Sequence, residues 1–430
     1  MQACEKALAV PGFYGWWIVG TAFITLGIAL GIPYYTLPFF YDYFQKAFHW
    51  ELSQITLGFP VAALLTVWVG PLIVPHFSPR KLIIVGTGLT AVAFFGFGTM
   101  KGALGVYFVL YFSYTLGYIL SGPIPHQILV SYWFHKNRGR AMGLIYVGVG
   151  LFGGLGSLFV RSFTEKYGFQ MALIGVGALM LITWPLAIFL LKDKPYDLGQ
   201  YPDGADHPPA DIKLPPQSSW RLLRDGSFWL LLVGSVCSIA SIGSINMHMK
   251  FVFRDQGFTE QQILNATWTK ASVLILCASI IGRLSVGYLS DIFSKKRVMT
   301  ATYVIVAISV LLLRSVTPEH AASLYAFSIV FGFSMGADYI LIPLMAAEQF
   351  GINTLARAMS IILPLNTIGQ TWCPYLVSTL RQRHATYVAP MTVVFGIAIV
   401  GAIAIVLMPR GLTAKSQVPQ VHSLESDRPS

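Results

Sequence analysis

The sequence predicts an all-α membrane protein whose twelve transmembrane helices form two pseudo-symmetric six-helix bundles. Of its 430 residues, 55% are hydrophobic and 11% are charged, whereas soluble globular chains are about 45–50% apolar and about 25% charged. This shortage of charge excludes a soluble multidomain enzyme. Twelve apolar segments are long enough to cross a bilayer. They lie near residues 14–40, 52–75, 82–100, 104–132, 139–161, 169–191, 227–250, 263–290, 298–315, 321–347, 357–380 and 388–409.

The sixth and seventh segments are separated by a polar stretch from Lys192 to Arg224 that contains six prolines. Such a composition is typical of a linker, and it divides the chain into two halves of six spans each. We therefore predict an N-terminal bundle at residues 1–192, a cytoplasmic linker at 193–225 and a C-terminal bundle at 226–410. The polar residues 411–430 are predicted to form a disordered cytoplasmic tail.

The distribution of basic residues predicts the orientation in the membrane. With the N-terminus inside and the spans alternating, 18 Lys and Arg residues lie on the cytoplasmic side and 9 lie outside. The positive-inside rule favours this arrangement, which places both termini in the cytoplasm. The two remaining cations, Lys270 and Arg283, lie within one span. The chain is thus predicted to be a multi-pass integral membrane protein with the lipid bilayer as a partner.

Several function classes are excluded by the distribution of charge and by the context of short motifs. The net charge of +11 is scattered between apolar runs, so no basic surface for nucleic acid is expected. The four cysteines are far apart and follow no zinc or disulfide spacing. Glycine motifs at 148–153 and 332–336 match dinucleotide and hydrolase patterns, but both lie within spans and follow no strand. We predict no catalytic residue, no cofactor and no metal.

The stretch from Trp268 to Arg297 is apolar and helix-forming, yet it contains Lys270 and Arg283. A cation within a span costs about 2.5–3.5 kcal/mol on insertion scales, so it normally lines a cavity or has a partner. Arg283 lies roughly 10 Å from the middle of its span, where its forked donors suit a carboxylate. The alternative is a structural ion pair between helices. Lys270 lies nearer the end of the span, where its side chain can reach the interface.

A charged motif follows the eighth span, from Gly287 to Arg297, and is echoed after the second span with Val74 in place of the aspartate. The motif resembles the cytoplasmic loop motif of the major facilitator superfamily, and this resemblance covers residues 14–410. It implies a secondary transporter whose two halves rock about a central site. We predict that the acid and the basic run of the motif form a latch that stabilises one conformation. These latch residues are Asp291, Lys295, Lys296 and Arg297.

Three further stretches resemble the monocarboxylate transporter family, as found in bacterial relatives. They are Tyr14 to Trp17 in helix 1, Ser131 to Gly143 between helices 4 and 5, and Asn366 to Tyr387 in and after helix 11. Arg283 falls where that family carries a helix 8 arginine for the substrate carboxylate. Animal members use two residues for proton coupling that this chain lacks, because residues 31–40 contain no lysine and Ser279 stands in place of an aspartate. The resemblance implies monocarboxylate transport and leaves its coupling open.

Polar residues in other spans are candidates for the substrate site. Tyr34 and Tyr35 follow Pro33, whose kink suits a cavity wall, although interfacial packing explains the two phenols equally well. Asn366 and Gln370 lie one turn apart on helix 11. Their amides could donate to a carboxylate or could bond across helices. We predict that these four residues bind the substrate together with Arg283.

Two ionisable residues are candidates for proton coupling. Asp338 lies near the middle of helix 10, where an acid is either a proton carrier or the structural partner of Arg283. His126 follows the sequence Gly122-Pro-Ile-Pro, which breaks helix 4. This histidine would act either as a proton relay or as a packing residue.

We predict a secondary active transporter that moves a small organic anion by alternating access with proton symport. A monocarboxylate is the first candidate for this anion. Exchange against a counter-anion, as in an oxalate or formate exchanger, is the alternative. A non-transporting sensor on the same scaffold would need a large soluble output region, for which the linker is too short. A membrane-embedded enzyme would need clustered His, Asp or Glu, which the sequence lacks. The resemblance to bacterial relatives predicts a bacterial inner membrane.

Overall fold

The computed structural model describes residues 12–58, 61–62, 69–207, 218–319, 321–384 and 386–409. The regular elements in these ranges are helices. The N-terminal half contains α1 (Gly15–Phe48), the two pieces of α2 (Leu52–Thr56 and Val69–Ile73), α3 (Pro79–Thr99), α4 (Leu104–Trp133), α5 (Arg138–Tyr167) and α6 (Phe169–Leu190). The C-terminal half contains α7 (Gly226–Asp255), α8 (Gln261–Ile292), α9 (Lys295–Arg314), α10 (Ala321–Phe350), α11 (Ile352–His384) and α12 (Val388–Leu407).

Ten helices within the described ranges are long and apolar enough to cross a membrane. The second predicted span is seen in part, because the two pieces of α2 flank residues outside the described ranges. α11 has 33 residues, which is about 50 Å at about 1.5 Å per residue, but polar side chains lower its hydropathy. The order and length of these elements confirm the predicted all-α membrane fold.

α1 changes its helical geometry twice within its length. Gly27–Gly31 form a π-helical turn, and Leu37–Phe40 form a 3₁₀ turn. Pro33 lies between these turns and has no N–H to donate to the preceding turn, which gives the irregularity a physical cause. Gly31 lies against α5, where an added Cβ would come within 2.5 Å of the Val149 carbonyl oxygen. The close approach of α1 and α5 therefore requires glycine.

The two halves pack against each other at the end that carries the α4–α5 and α8–α9 loops, which we call the inner end. Here α5 crosses α8 so closely that a Cβ on Gly139 would collide with the Gly287 carbonyl oxygen. A second contact joins α2 and α11, where Gly70 lies against Ser360. Apolar side chains from both halves fill the space between these crossings. The inner end is therefore closed, and the charge bias predicts that it faces the cytoplasm.

The first part of the predicted linker packs on the N-terminal half. The Trp133 indole N–H donates to the Lys192 carbonyl (2.9 Å), and the backbone N–H of Arg80 donates to the Asp193 carboxylate (3.0 Å). Two 3₁₀ turns follow, at residues 195–198 and 202–204. Residues 208–217 and the predicted tail at 411–430 lie outside the described residues. The division of the chain into domains stays a prediction.

Candidate functional site

Arg283 lies on α8 where the two halves face each other. The residue is buried, with 6% of its surface exposed, and its ionisable neighbours are Tyr35 on α1, Tyr146 on α5 and Tyr339 on α10. One guanidinium nitrogen is 3.5 Å from Ser279 Oγ, at the limit of a hydrogen bond. In the part of the chain that the structure describes, no ion pair joins Arg283 to an acid.

Within the described residues, one N–H donor of the Arg283 guanidinium has no hydrogen-bond acceptor. Its Nε atom is buried without a hydrogen-bond partner, and an unpaired buried donor costs about 1–3 kcal/mol, with more for a charged group. Its NH1 atom lies 3.2 Å from the point that a Cβ on Gly150 would occupy, so a larger residue there would press on the guanidinium. A small anion in this space would accept the free donor, because arginine forms paired hydrogen bonds with carboxylates.

Tyrosines from both halves surround this point. Tyr34 packs edge-to-face on Tyr35, with ring centroids 5.3 Å apart, and it faces Gln370 of α11. The Gln370 side-chain N–H donates to the hydroxyl of Tyr339 (3.2 Å). Tyr34 is surrounded by helices on several sides, yet 45% of its surface is accessible. Both hold for a residue that lines an open space between helices. The structure places three of the predicted substrate residues, Tyr34, Tyr35 and Gln370, in one connected group of side chains beside Arg283.

Sequence reasoning missed two residues of this cavity, Gln127 and Tyr146. The Gln127 side-chain N–H donates to the Tyr146 hydroxyl at 2.5 Å, and Tyr146 lies next to Arg283. Tyrosine and glutamine inside apolar spans are usually read as packing or helix-bonding residues. A signal was nevertheless present, because Gly143, Tyr146 and Gly150 recur at helical spacing on one face of α5. Both of these glycines contact Arg283.

Asp338 occupies a separate polar pocket inside the C-terminal half. Its side chain is fully buried, and one carboxyl oxygen accepts a hydrogen bond from Ser238 on α7 (3.1 Å). Tyr303 on α9 directs its hydroxyl toward the same carboxyl, but this hydroxyl and Asp338 Oδ1 both lack a hydrogen bond of good geometry. Among the described residues, no ion pair joins Asp338 to Arg283. No three His, Cys, Asp or Glu side chains meet as metal ligands within the described part of the chain.

Asn366 and His126 have polar atoms bound by neighbouring groups. The Asn366 side-chain oxygen accepts a hydrogen bond from Ser235 on α7 (2.9 Å) inside the C-terminal half, while its buried Nδ2 has no partner among the described residues. His126 lies at the break in α4, with Nδ1 2.8 Å from the Gly122 carbonyl oxygen and Nε2 2.9 Å from Thr25 Oγ. In the neutral tautomer Nδ1–H donates to the carbonyl and Nε2 accepts from the hydroxyl. This geometry favours the packing alternative for His126.

Asp291 links the two halves at the inner end. Its carboxylate, with 6% of the side chain exposed, accepts hydrogen bonds from the backbone N–H groups of Gly139 (2.7 Å) and Arg140 (3.0 Å). The Arg140 guanidinium lies 4.4 Å from the centre of the Tyr288 ring. A carboxylate is favourable at the start of a helix because free N–H groups and the positive end of the helix dipole meet there. Asp291 of one half thus caps α5 of the other.

The basic run after Asp291 acts within the C-terminal half. Lys295 pairs with Glu348 of α10 (2.9 Å), and the Lys296 ammonium donates to the Met408 carbonyl just after α12 (2.5 Å). Arg297 is exposed. Of the four predicted latch residues, Asp291 is therefore the one that the structure places across the contact between the halves.

Three comparisons relate the chain to known proteins. The family model described as Major Facilitator Superfamily matches residues 121–285 and 261–425. The chain is 23% identical to the fujikurins efflux protein of Gibberella fujikuroi, over 81% of this chain and 72% of that protein. It is 22% identical to monocarboxylate transporter 13 of Bos taurus, over 94% of this chain and 91% of that protein. Two other curated relatives are matched over 54% of their own length.

The fold is similar to that of a solved transporter, FucP, crystallised in the outward conformation. The TM-score is 0.68 at 14% sequence identity, and the match covers 91% of this chain and 98% of that chain. At this identity the similarity shows the fold alone. These matches are to membrane transport proteins, which are not enzymes.

Proposed function

Since the chain belongs to the Major Facilitator Superfamily and is thus a multi-pass membrane transporter, we propose that it carries a small organic anion with one carboxylate. The observation that carries this proposal is the buried guanidinium of Arg283, which lies between the halves and has a donor without an acceptor among the described residues. In a transporter whose halves rock about a central site, a group at this position faces each side of the membrane in turn. An anion bound at Arg283 would therefore be released on the opposite side.

The groups around Arg283 suit a carboxylate. The guanidinium would donate two parallel N–H bonds to its oxygens. Tyr35, Tyr146 and Tyr339 are electrostatic neighbours of Arg283. Their phenol hydroxyls could donate to the lone pairs of the carboxylate oxygens that the guanidinium leaves unbound. The exposed ring of Tyr34 would then contact the body of the substrate. The bound anion would supply a negative charge that no acid of the described residues places beside Arg283.

The charge of the cavity favours one negative charge on the substrate over two. The other cation on α8, Lys270, is exposed and lies thirteen residues before Arg283, a turn of about 220° around the helix. The two cations therefore point to different faces. A dianion such as oxalate would leave one carboxylate without a cation, which is costly in a desolvated site. A monocarboxylate is accordingly our first candidate, and an oxalate- or formate-like exchanger is the second.

We propose Asp338 as the residue that carries a coupled proton. An ionised carboxylate is costly to bury among neutral groups, and the neighbours of Asp338 are two hydroxyls, that of Ser238, which donates to it, and that of Tyr303, which is directed toward it. A carboxyl that is neutral in this state and ionised in another would release a proton on one side of the membrane. Exchange against a counter-anion is the second candidate. Ser279 favours this alternative, because it contacts Arg283 from one turn away and its hydroxyl does not ionise at physiological pH.

We propose that the inner end faces the cytoplasm of a bacterial cell and that both termini lie on that side. The support is the excess of 18 over 9 basic residues on this side of the spans. The closed inner end then corresponds to an outward-facing state, held in part by the contact of Asp291 with α5. In this arrangement Asp291 acts as the latch predicted from its motif.

The proposal is tested by uptake into proteoliposomes that contain the purified protein. Labelled lactate, pyruvate, formate and oxalate are offered singly, with and without a pH gradient, to the unchanged protein, Arg283→Gln and Lys270→Gln. We expect saturable monocarboxylate uptake that is lost in Arg283→Gln and retained in Lys270→Gln, which removes the same charge from an exposed position on the same helix. Normal monocarboxylate affinity in Arg283→Gln would exclude Arg283 as the residue that binds the carboxylate. Uptake that follows the pH gradient supports symport, and uptake that requires an anion inside supports exchange.

A further inference from the structure

Two aspartates bind backbone N–H groups on either side of Arg138, the first residue of α5. Asp291 binds residues 139 and 140 from the other half, as described above. Asp203 of the linker binds the three residues before α5. One of its oxygens accepts from the backbone N–H groups of His135 (2.8 Å) and Lys136 (2.7 Å), and the other accepts from that of Asn137 (3.2 Å). The Asn137 side-chain N–H also donates to Asp203 (3.3 Å).

The linker segment that carries Asp203 is attached to the N-terminal half. Gln200 accepts from the backbone N–H of Tyr14 (3.0 Å) and donates to the carbonyl of Gly12 (3.1 Å). Phe13 packs against the backbone of the residue after Asp203. Asp203 itself has a φ of 58°, a left-handed conformation that aspartate adopts more readily than most residues. If the halves separate at the inner end, as alternating access requires, Asp203 would stay with α5, whereas Asp291 would leave it.

We propose that Asp203 is a positioning residue for the transport cycle, because it holds the start of α5 in the shape that Asp291 binds. Its own hydrogen bonds reach residues 135–137, so its effect on the contact between the halves passes through the backbone of this loop. Without Asp203 these N–H groups would lose their acceptor and the loop would move more freely. The first turn of α5 would then fit Asp291 less often, and closure of the inner end would be less favourable.

Mutual repulsion of the two carboxylates works against this effect, but it is offset locally. Three of the five residues from 136 to 140 are basic, namely Lys136, Arg138 and Arg140. The positive end of the helix dipole of α5 adds positive potential at the same place. The hydrogen bonds of Asp203 to the loop therefore outweigh the repulsion between the carboxylates, so Asp203 favours closure of the inner end. Removal of Asp203 should favour the open inner end.

The test compares four variants by hydrogen–deuterium exchange with mass spectrometry, using the full chain in lipid nanodiscs. They are Asp203→Ala, Asp291→Asn, the combination of both, and the control Asp206→Ala. The control removes the same charge from an exposed position three residues later in the linker. Exchange is measured at residues 135–137 and at residues 286–292 of α8, which belong to the other half. The second region reports the contact between the halves and not the local loop.

We expect Asp203→Ala to speed exchange at residues 286–292 by about two- to thirtyfold, the range for losing one helix cap. Asp206→Ala should leave this region unchanged. In the Asp291→Asn background, Asp203→Ala should add little at 286–292, because the contact that it supports is already weakened. This non-additivity distinguishes a positioning role from a general loss of stability, which would add to the effect of Asp291→Asn.

The proposal is wrong if Asp203→Ala changes exchange at residues 135–137 alone, or if its effect at 286–292 is as large without the Asp291 carboxylate as with it. If Asp203→Ala does not fold, Asp203→Asn replaces it, since asparagine keeps one acceptor oxygen and should give the same pattern with a smaller change. The measurement uses no substrate. Its outcome is therefore independent of whether Arg283 binds a carboxylate.

Discussion

The change Asp291→Asn tests how the inner end is held closed. The carboxylate accepts two backbone N–H bonds from α5, at 2.7 and 3.0 Å, and it is nearly buried. A hydrogen bond to a charged group contributes about 1.5–3 kcal/mol. Asparagine keeps one acceptor oxygen but turns its own N–H₂ group toward the second N–H, so about one such bond is lost. We expect the ratio of closed to open inner ends to fall roughly 10- to 150-fold.

Opening of the inner end can be followed by cysteine labelling. A single cysteine at Met359, in a chain whose native cysteines are replaced, lies in the apolar cluster that fills the contact between the halves. Its rate of reaction with a maleimide should rise in Asp291→Asn. The matched control is Glu348→Gln, which removes an acid that pairs with Lys295 inside one half. Substrate binding should persist in Asp291→Asn. Unchanged labelling together with lost binding would refute the latch and would assign Asp291 to the substrate site.

Further variants separate the roles of the buried charges and test the topology. Arg283→Lys should lose substrate affinity nearly as Arg283→Gln does, because a point charge replaces a forked donor. The expected loss is about 2–5 kcal/mol, or roughly 30-fold and more. Full affinity in titration calorimetry would contradict this, and Lys270→Gln is the control. Asp338→Asn should abolish pH-driven accumulation and keep exchange of labelled for unlabelled substrate, so loss of both would indicate a structural role. Arg283→Gln and Asp338→Asn should change the melting temperature additively, and recovery in the combination would mean that the two residues pair. Cysteines at Ser218 and Thr386 should react from opposite sides of intact cells, and reaction of both from outside would exclude the twelve-helix topology.

The fold could be predicted largely from composition because a span of about twenty apolar residues leaves few alternatives in a bilayer. The position at which α1 ends could not be predicted from composition. The apolar segment was predicted to end near residue 40, whereas the helix continues to Phe48. Its last eight residues, Tyr41–Phe48, include Asp42, Gln45 and Lys46. These polar side chains lower the hydropathy but do not prevent helix formation, so the boundary of the span and the boundary of the helix differ.

Arg283 could be predicted as a site residue because a permanent charge stands out within an apolar span. The partners of the helix 11 amides could not be predicted. Asn366 and Gln370 lie on one face of α11, yet Asn366 bonds to Ser235 of α7 while Gln370 bonds to Tyr339 of α10. Four residues advance a helix by about 6 Å, which is enough to pass from one neighbouring helix to the next. The crossing angle of α11 decides these partners, and a periodic pattern contains no information about it.

The positions of Asp338 and Tyr339 bear on how a proton and an anion could be coupled. Consecutive residues point about 100° apart on a helix. Asp338 accordingly meets Ser238 inside the C-terminal half, while Tyr339 meets Gln370 and lies beside Arg283 in the cavity. The ionisable neighbours of Arg283 are tyrosines and do not include Asp338. Among the residues that the structure describes, neither a shared hydrogen bond nor an ion pair connects the two sites, and Tyr339 is the neighbour that both have in common. Under the proposed symport, an anion at Arg283 would therefore act on the proton at Asp338 through Tyr339 and through movement of α10 against α7 and α9.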